Sequence, residues 1–149
     1  MLSEHQIKAY KERLESYSIK SRNNHIAIEN KIKFHFPDSN VCPLPEEWLD
    51  SWYSEIAEDG KIIDGRVILN TGEPNRCHNN VLRLFASKDG YRLDYEVVTG
   101  FGMSEDGLWV RHSWLMKVFK TGIRIYETTV PRIAYFGITV NPYEFATAK

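Results

Sequence analysis

Four strand-like segments separated by short turns fill the second half of the sequence and limit the folds open to it. They span residues 91–103, 108–119, 123–129 and 133–140. Residues 104–107 and 120–122 between them hold the glycine and polar residues that tight turns favour. Because strands joined by tight turns pair with their neighbours along the chain, the pattern predicts an antiparallel β-meander.

The N-terminus predicts a helix. Ser3 is a favourable N-cap, and Gln6 three residues later completes a capping box. Ile7, Tyr10 and Leu14 then recur at helical spacing, with charged residues on the other face.

Three more segments of the first half are assigned from local patterns. Residues 30–36 alternate between apolar and polar side chains, which predicts a short strand. Residues 46–58 follow Pro45, carry an apolar face and are predicted as a second helix. Residues 61–68 hold Asp-Gly between β-branched runs, which predicts a small hairpin.

Helices, then a cysteine-bearing helix, then a sheet predict an α+β fold. A chain of 149 residues fits one domain, 1–149, with a mainly helical N-terminal part over residues 1–69. A chain of this size can bury enough surface to fold without a metal or a disulfide.

Charge and composition exclude some classes of function. The chain has 19 basic and 20 acidic residues and a net charge of -1, which argues against a nucleic-acid partner bound through its phosphates. No secretory or membrane-spanning run is found, so no membrane partner is predicted. With two cysteines in unlike contexts, Cys42 and Cys77, we expect free thiols and a cytoplasmic location.

Cys77 begins a predicted helix that follows a loop rich in helix-stopping residues. Unpaired amides and the helix dipole at such a position favour the thiolate form. A cysteine nucleophile also needs a base, a group that orients the base, and donors for the oxyanion.

His112 is the best candidate base, because it lies within an otherwise apolar strand. Glu127 on the next strand is the candidate orienting acid, with Asp94, Glu96 and Asp106 as alternatives. The simplest pairing of the two strands puts Glu127 opposite Leu115 and His112 on the other face. A shift of one residue brings both side chains to the same face, and the sequence leaves this register open.

The remaining site predictions concern the oxyanion and the substrate groove. The backbone amide of Cys77 is the expected first donor. Asn75 or Asn70 is the candidate second donor, and Asn80 is a candidate for support of the oxyanion site or for a structural residue that binds loop backbone. Trp109, Trp114 and Tyr135 are predicted to be groove or core aromatics near the site, and the substrate groove is the assignment chosen for them. His78 is a poor partner for Cys77, because adjacent helical residues do not face each other.

The order cysteine, histidine, acid on successive elements resembles the papain-like cysteine hydrolase superfamily. More narrowly, Cys77-His78-Asn79-Asn80-Val81, His112-Ser113-Trp114 and Glu127-Thr128-Thr129 resemble motifs of small bacterial and phage proteins. The resemblance covers about half of the chain. It implies a papain-like catalytic core over residues 70–141 in which Cys77 is the nucleophile, His112 the base and Glu127 the orienting acid. Papain-like enzymes usually have Asn or Asp in the third place, so the glutamate is a departure.

These observations predict a thiol-dependent hydrolase or transferase that acts on an amide-type bond of a protein, a peptide or a small molecule. No cofactor is predicted. The alternative is a non-catalytic binding or inhibitor module on the same scaffold, which the aromatic residues and the near-neutral charge would also suit. A metal site made of Cys77, His78 and His112 is the least favoured interpretation, because adjacent ligands lack the usual zinc spacing.

Overall fold

The structure is a computed structural model that describes residues 2–148. These residues form five α-helices and seven β-strands, in agreement with the predicted α+β class. The helices are α1 (Glu4–Ser16), α2 (Ile19–His35), α3 (Tyr53–Asp59), α4 (Cys77–Ser87) and α5 (Pro142–Thr147). The strands are β1 (Asn40–Val41), β2 (Lys61–Ile63), β3 (Arg66–Leu69), β4 (Glu96–Met103), β5 (Leu108–Phe119), β6 (Gly122–Glu127) and β7 (Ala134–Val140).

The strands form one sheet in the order β2-β7-β4-β5-β6-β3, and β1 adds a short parallel pairing to β5. The predicted meander is confirmed for β4, β5 and β6, which pair with their neighbours along the chain. The fourth strand differs from the prediction, because β7 crosses back to pair with β4. Both β4 and β5 are therefore internal strands, and β5 carries His112 in the middle of the sheet.

Each face of the sheet has its own core. One face packs against the helices, with Ile28 of α2, Ile56 of α3 and Val81 of α4 all fully buried. The other face forms a smaller cluster built around Trp114 and Tyr135. A sheet that buries both faces holds the side chains of β5 in fixed positions on either side.

The first helix is confirmed, but the next two assignments in the N-terminal part are wrong. Ser3 and Gln6 form the predicted capping box. Residues 30–36, predicted as a strand, belong largely to α2, whose N-cap is Ser18. The predicted helix 46–58 is split into a 3-10 turn at Glu46–Trp48 and the short α3.

Both strands of the predicted hairpin at 61–68 exist, yet they do not pair with each other. β2 pairs antiparallel with β7, whereas β3 pairs parallel with β6 at the opposite edge of the sheet. Following the pairings across the sheet shows that β2 and β3 run in the same direction. In the described residues neither Asp64 nor Gly65 has the positive φ that a tight hairpin turn requires. The N-terminal part is thus not purely helical, since it supplies three strands to the common sheet.

The two edges of the sheet lie close together at this point. Ile63 ends β2 and Arg66 begins β3, so three peptide steps span the gap. At 3.8 Å per step the gap is at most about 11 Å, or roughly two strand spacings. Gly65 packs tightly here, because an added Cβ would lie 2.6 Å from the carbonyl oxygen of Ile123. The sheet is therefore strongly curled, with the Trp114 and Tyr135 cluster inside the curl.

In the part of the chain from residue 2 to 148, no helix has both the length and the apolar character needed to cross a membrane.

Candidate active site

Cys77 is the first residue of α4, as predicted, and is partly buried. The preceding residue, Arg76, makes no side-chain capping hydrogen bond. The buried side chains of Val81 and Phe85 hold α4 against the sheet, where it packs on β5. The thiol is therefore held at a helix N-terminus whose first amides are not occupied by a capping side chain.

His112 and Glu127 form a buried pair on β5 and β6. The His112 Nε2 atom lies 2.8 Å from Glu127 Oε1 and 2.9 Å from Oε2. Their side chains are 2% and 0% exposed, so water does not screen this contact. With Nε2 engaged by the carboxylate, Nδ1 is the nitrogen left for the Cys77 thiol.

The register of β5 and β6 places these two side chains on one face. Leu115 lies opposite Tyr126, not opposite Glu127. This is one of the one-residue shifts that the sequence left open, and it turns Glu127 toward His112. The alternative acids Asp94, Glu96 and Asp106 make no hydrogen bond to His112 in residues 2–148.

The electrostatics of the three groups favour a charged thiol and imidazole. Burial acts to raise the pKa of the Cys77 thiol, but hydrogen bonding and attraction by His112, with the Ser113 backbone N–H, lower it overall. Burial acts to lower the pKa of His112, but its contacts with Cys77 and Glu127 raise it overall. The two shifts are opposite in sign and favour a thiolate–imidazolium pair.

Glu127 is held by a dense set of donors. The backbone N–H groups of Thr128 and Thr129 each donate to Oε2 at 3.0 Å, and the Thr129 hydroxyl donates to the same oxygen at 3.1 Å. The Tyr135 hydroxyl donates to Oε1 at 2.9 Å. Burial alone would raise the pKa of Glu127, but His112 and these donors lower it, so the group is a carboxylate.

Tyr135 therefore has a different place from the predicted groove position. It is 2% exposed and contacts the acid, not the cleft. Trp109 and Trp114 are fully buried as well, so the predicted groove assignment of all three aromatics is corrected. Trp109 donates from Nε1 to Ser39 Oγ in the helix-facing core, and Trp114 packs beside His112 at 6.0 Å between ring centroids. Trp114 therefore supports the site by packing against the His112 ring.

The two asparagines predicted near Cys77 differ in position. Asn80 is buried and supports the site, because its side chain accepts from Glu73 N at 3.0 Å and donates to Glu73 O at 2.7 Å. It ties the loop before α4 to the helix. Asn75 is exposed, has a φ of 58° and does not line the cleft. Its side chain is not brought to Cys77, because it serves the turn that leads into the helix.

A cleft of about 460 Å³ lies in front of Cys77 and His112. Its volume falls in the range of small-molecule and peptide-residue sites. The residues that line it are Asp50, Trp52, Cys77, His78, Thr99, Arg111, His112, Ser113, Phe145 and Ala148. The sequence did not identify Asp50, Arg111 or Phe145 as cleft residues, because only the tertiary structure brings them to the same cleft as Cys77.

His78 lines the same cleft as Cys77, and no hydrogen bond joins the two side chains in residues 2–148. The His78 ring stacks on Phe145 at 4.0 Å between centroids. Partial burial lowers the pKa of His78, so it remains a neutral packing residue. Across residues 2–148, no three or more His, Cys, Asp or Glu side chains are grouped so that they could hold a metal ion.

Comparison of the chain with protein-family models, with curated proteins and with solved structures finds no match.

Proposed function

We propose that this protein is a thiol-dependent hydrolase or transferase that acts on an amide-type bond through Cys77, His112 and Glu127. The observation that carries the proposal is the buried His112–Glu127 pair, with Nε2 to Oε1 at 2.8 Å, beside a thiol whose pKa is lowered by the same imidazole. A merely structural cysteine has no need of a base that is itself held by a carboxylate.

The proposed reaction has two steps. The Cys77 thiolate attacks the carbonyl carbon, and the His112 imidazolium gives its proton to the leaving amine as the C–N bond breaks. This leaves an acyl thioester on Cys77. Water, or an amine or alcohol acceptor, then attacks the thioester while His112 takes the acceptor's proton, and the thiolate leaves. Glu127 remains a carboxylate and stabilises the imidazolium throughout.

The N-terminus of α4 supports stabilisation of the oxyanion. The backbone N–H of Cys77 is the proposed donor, aided by the positive end of the helix dipole. Asn80 acts on this end of the helix only through the loop that it holds.

The order of elements supports a papain-like core for this reaction. The cysteine begins a helix, the histidine lies on a strand of a curled antiparallel sheet, and the acid lies on the strand that follows. Glutamate in place of the usual Asn or Asp is accommodated by the N–H donors of Thr128 and Thr129, which fix its longer side chain.

Alkylation by iodoacetamide across a range of pH tests the proposal, with Cys42 as an internal control in the same molecule. We expect Cys77 to react faster than Cys42 below pH 8, because its thiol pKa is lowered. His112→Ala should slow alkylation of Cys77 by tenfold or more without slowing Cys42, because the thiolate loses the hydrogen bond and the charge that lower the pKa of the thiol. Mass spectrometry of tryptic peptides gives both rates. Equal rates for the two thiols, unchanged by His112→Ala, would refute the proposal and support the binding-module alternative.

A further inference from the structure

The cleft contains one acidic side chain, Asp50, that the proposed reaction does not use. Asp50 lies in the segment before α3 and is about one-third exposed, at 32%. Its Oδ1 accepts from the Trp52 backbone N–H at 3.0 Å, and its Oδ2 accepts from Arg111 Nη2 at 2.7 Å. Each carboxylate oxygen has two acceptor positions, so a carboxylate held in this way keeps capacity for further donors.

Arg111 serves to hold this carboxylate and is poorly placed to bind a ligand itself. Its side chain is only 14% exposed. Its Nη1 donates to Thr99 Oγ1 at 2.9 Å and to Gly100 O at 2.7 Å, while Nη2 binds Asp50. The guanidinium is therefore engaged by the protein on both terminal nitrogens, and the more exposed member of the ion pair is the carboxylate.

Aromatic side chains form the wall of the cleft beside Asp50. Trp52 and Phe145 both line the cavity, with their ring centroids 5.8 Å apart. Phe145 is 1% exposed with its ring stacked on His78, and Trp52 is 8% exposed, so the two rings give the cleft an apolar wall and no open aromatic face. An apolar wall strengthens a nearby charge pair by excluding water. A fixed, partly exposed carboxylate beside such a wall suits an ammonium group.

We propose that Asp50, beside the apolar wall of Trp52 and Phe145, forms a subsite that binds a cationic group of the substrate, such as an ammonium, next to the amide bond attacked by Cys77. The inference rests on the proposed function, because it assigns the specificity of that same site. It selects amine-bearing peptides or small amides over acidic ones.

Asp50 also has a structural role that the experiment must separate from binding. Its Oδ1 contact to Trp52 N shapes the entry to α3, and an asparagine oxygen can make the same contact. Asp50→Asn therefore keeps the turn and removes the charge. Glu47→Gln removes the same charge from an exposed position in the same segment, outside the cleft, and is the matched control.

The experiment measures the rate at which three chloroacetamides alkylate Cys77. The probes are the mono-chloroacetamide of ethylenediamine, which is cationic, that of propylamine, which is neutral and of similar size, and that of β-alanine, which is anionic. In each, the thiolate displaces chloride to form a thioether. Rates at Cys42 in the same samples correct for the intrinsic reactivity of each probe.

We expect the cationic probe to alkylate Cys77 roughly tenfold faster than the neutral probe, as one charge-assisted hydrogen bond implies. Asp50→Asn should abolish that preference, measured as the ratio of the cationic probe's rate to the neutral probe's rate at Cys77, whereas Glu47→Gln should leave the ratio intact. A preference for the anionic probe, no preference, or equal loss in both variants would overturn the subsite. These outcomes differ from failure of the proposed function, in which Cys77 shows no enhanced reactivity toward the neutral probe either.

Discussion

The His112 imidazole is held between a thiol on one side and a carboxylate on the other. Glu127 alone would be costly to bury as an anion, yet it accepts from two backbone amides, two hydroxyls and the imidazole. A charge buried with that many donors is stabilised, and its attraction keeps a proton on His112. The charge state of the Cys77 thiol therefore depends on Glu127 through the imidazole that lies between them.

Glu127→Gln tests this coupling through stability. The Glu127 pKa is lowered in the folded protein, so its contribution is present above its unfolded pKa of about 4.3 and is lost as pH falls through the folded pKa. The His112 pKa is raised, so its contribution is present below about 6.5 and is lost as pH rises through the folded pKa. We expect the wild type to exceed Glu127→Gln in unfolding free energy by about 3 kcal/mol between roughly pH 5 and 6.5, with a narrower difference at pH 3.

Urea denaturation at several pH values measures that difference. Glu105→Gln is the control, because Glu105 is exposed in the turn before β5. A difference that stays constant from pH 3 to pH 7 would show that folding does not lower the pKa of Glu127.

At this scale the sequence was sufficient to select Cys77, His112 and Glu127 as a group, and the structure brings them together. The sequence did not determine the position of Tyr135. A buried tyrosine that donates to an acid has the same local sequence pattern as a tyrosine that lines a groove. Asp50 and Arg111 were missed because their ion pair joins positions 61 residues apart. Only the tertiary structure determines such a pair.

The N-terminus of α4 depends on the loop that leads into it. Asn80 joins Glu73 to the helix through two hydrogen bonds and lies 4% exposed. The loop also donates from Asn70 N to Glu127 O and from Gly72 N to Thr128 O, each at 2.7 Å. The loop therefore links the helix that bears the thiol to the strand that bears the acid.

Asn80→Ala should destabilise the protein and loosen this link. The substitution removes the two Asn80 side-chain atoms that bind the backbone N–H and C=O of Glu73. Loss of these hydrogen bonds costs about 1–3 kcal/mol. Asn79→Ala, at an exposed neighbouring position, should change stability by no more than about 0.5 kcal/mol. Thermal and urea unfolding of both variants measures the effect, and equal behaviour of the two would contradict the role given to Asn80.

Among the elements, the capped helix α1, the helix after Cys77 and the bounds of β5 were predictable from local signals. The strand predicted at 30–36 failed for a specific reason. The alternation counted Phe34 with Ile32 as one buried face, but Phe34 is 84% exposed and Ile32 is buried beside Ile28 at helical spacing. A short apolar alternation inside a longer helix is ambiguous without knowledge of which side is covered.

On the scale of the whole molecule, the sheet joins early and late parts of the chain. β2 pairs with β7, β3 pairs with β6, and the helix-facing core takes side chains from α2, α3, α4 and α5 together. Division of the chain at residue 69 therefore cuts through the sheet and the core. The sequence predicted two strands within residues 61–68 as a hairpin, but it could not predict that they lie at opposite edges of the sheet, since the Asp-Gly signal is local.

A fragment that begins at residue 70 tests this unity. We expect it to lack cooperative unfolding, because it loses the buried side chains of Ile28, Ile32 and Ile56 and exposes both edges of the remaining sheet. Circular dichroism during thermal denaturation and the amide dispersion in an NMR spectrum measure this. A fragment that unfolds cooperatively and keeps a reactive Cys77 would show that the rest of the chain folds without the N-terminal part.

The short passage from β2 to β3 bears on self-association. An open sheet has two edges onto which another chain can add a strand, and such additions lead to polymers. Here the same stretch of chain leaves one edge and enters the other, and Asp64 and Gly65 cross an opening of at most about 11 Å. A strand from another chain would need nearly all of that width to insert between the two edges. The covalent link from β2 to β3 therefore hinders edge-to-edge polymerisation at this point.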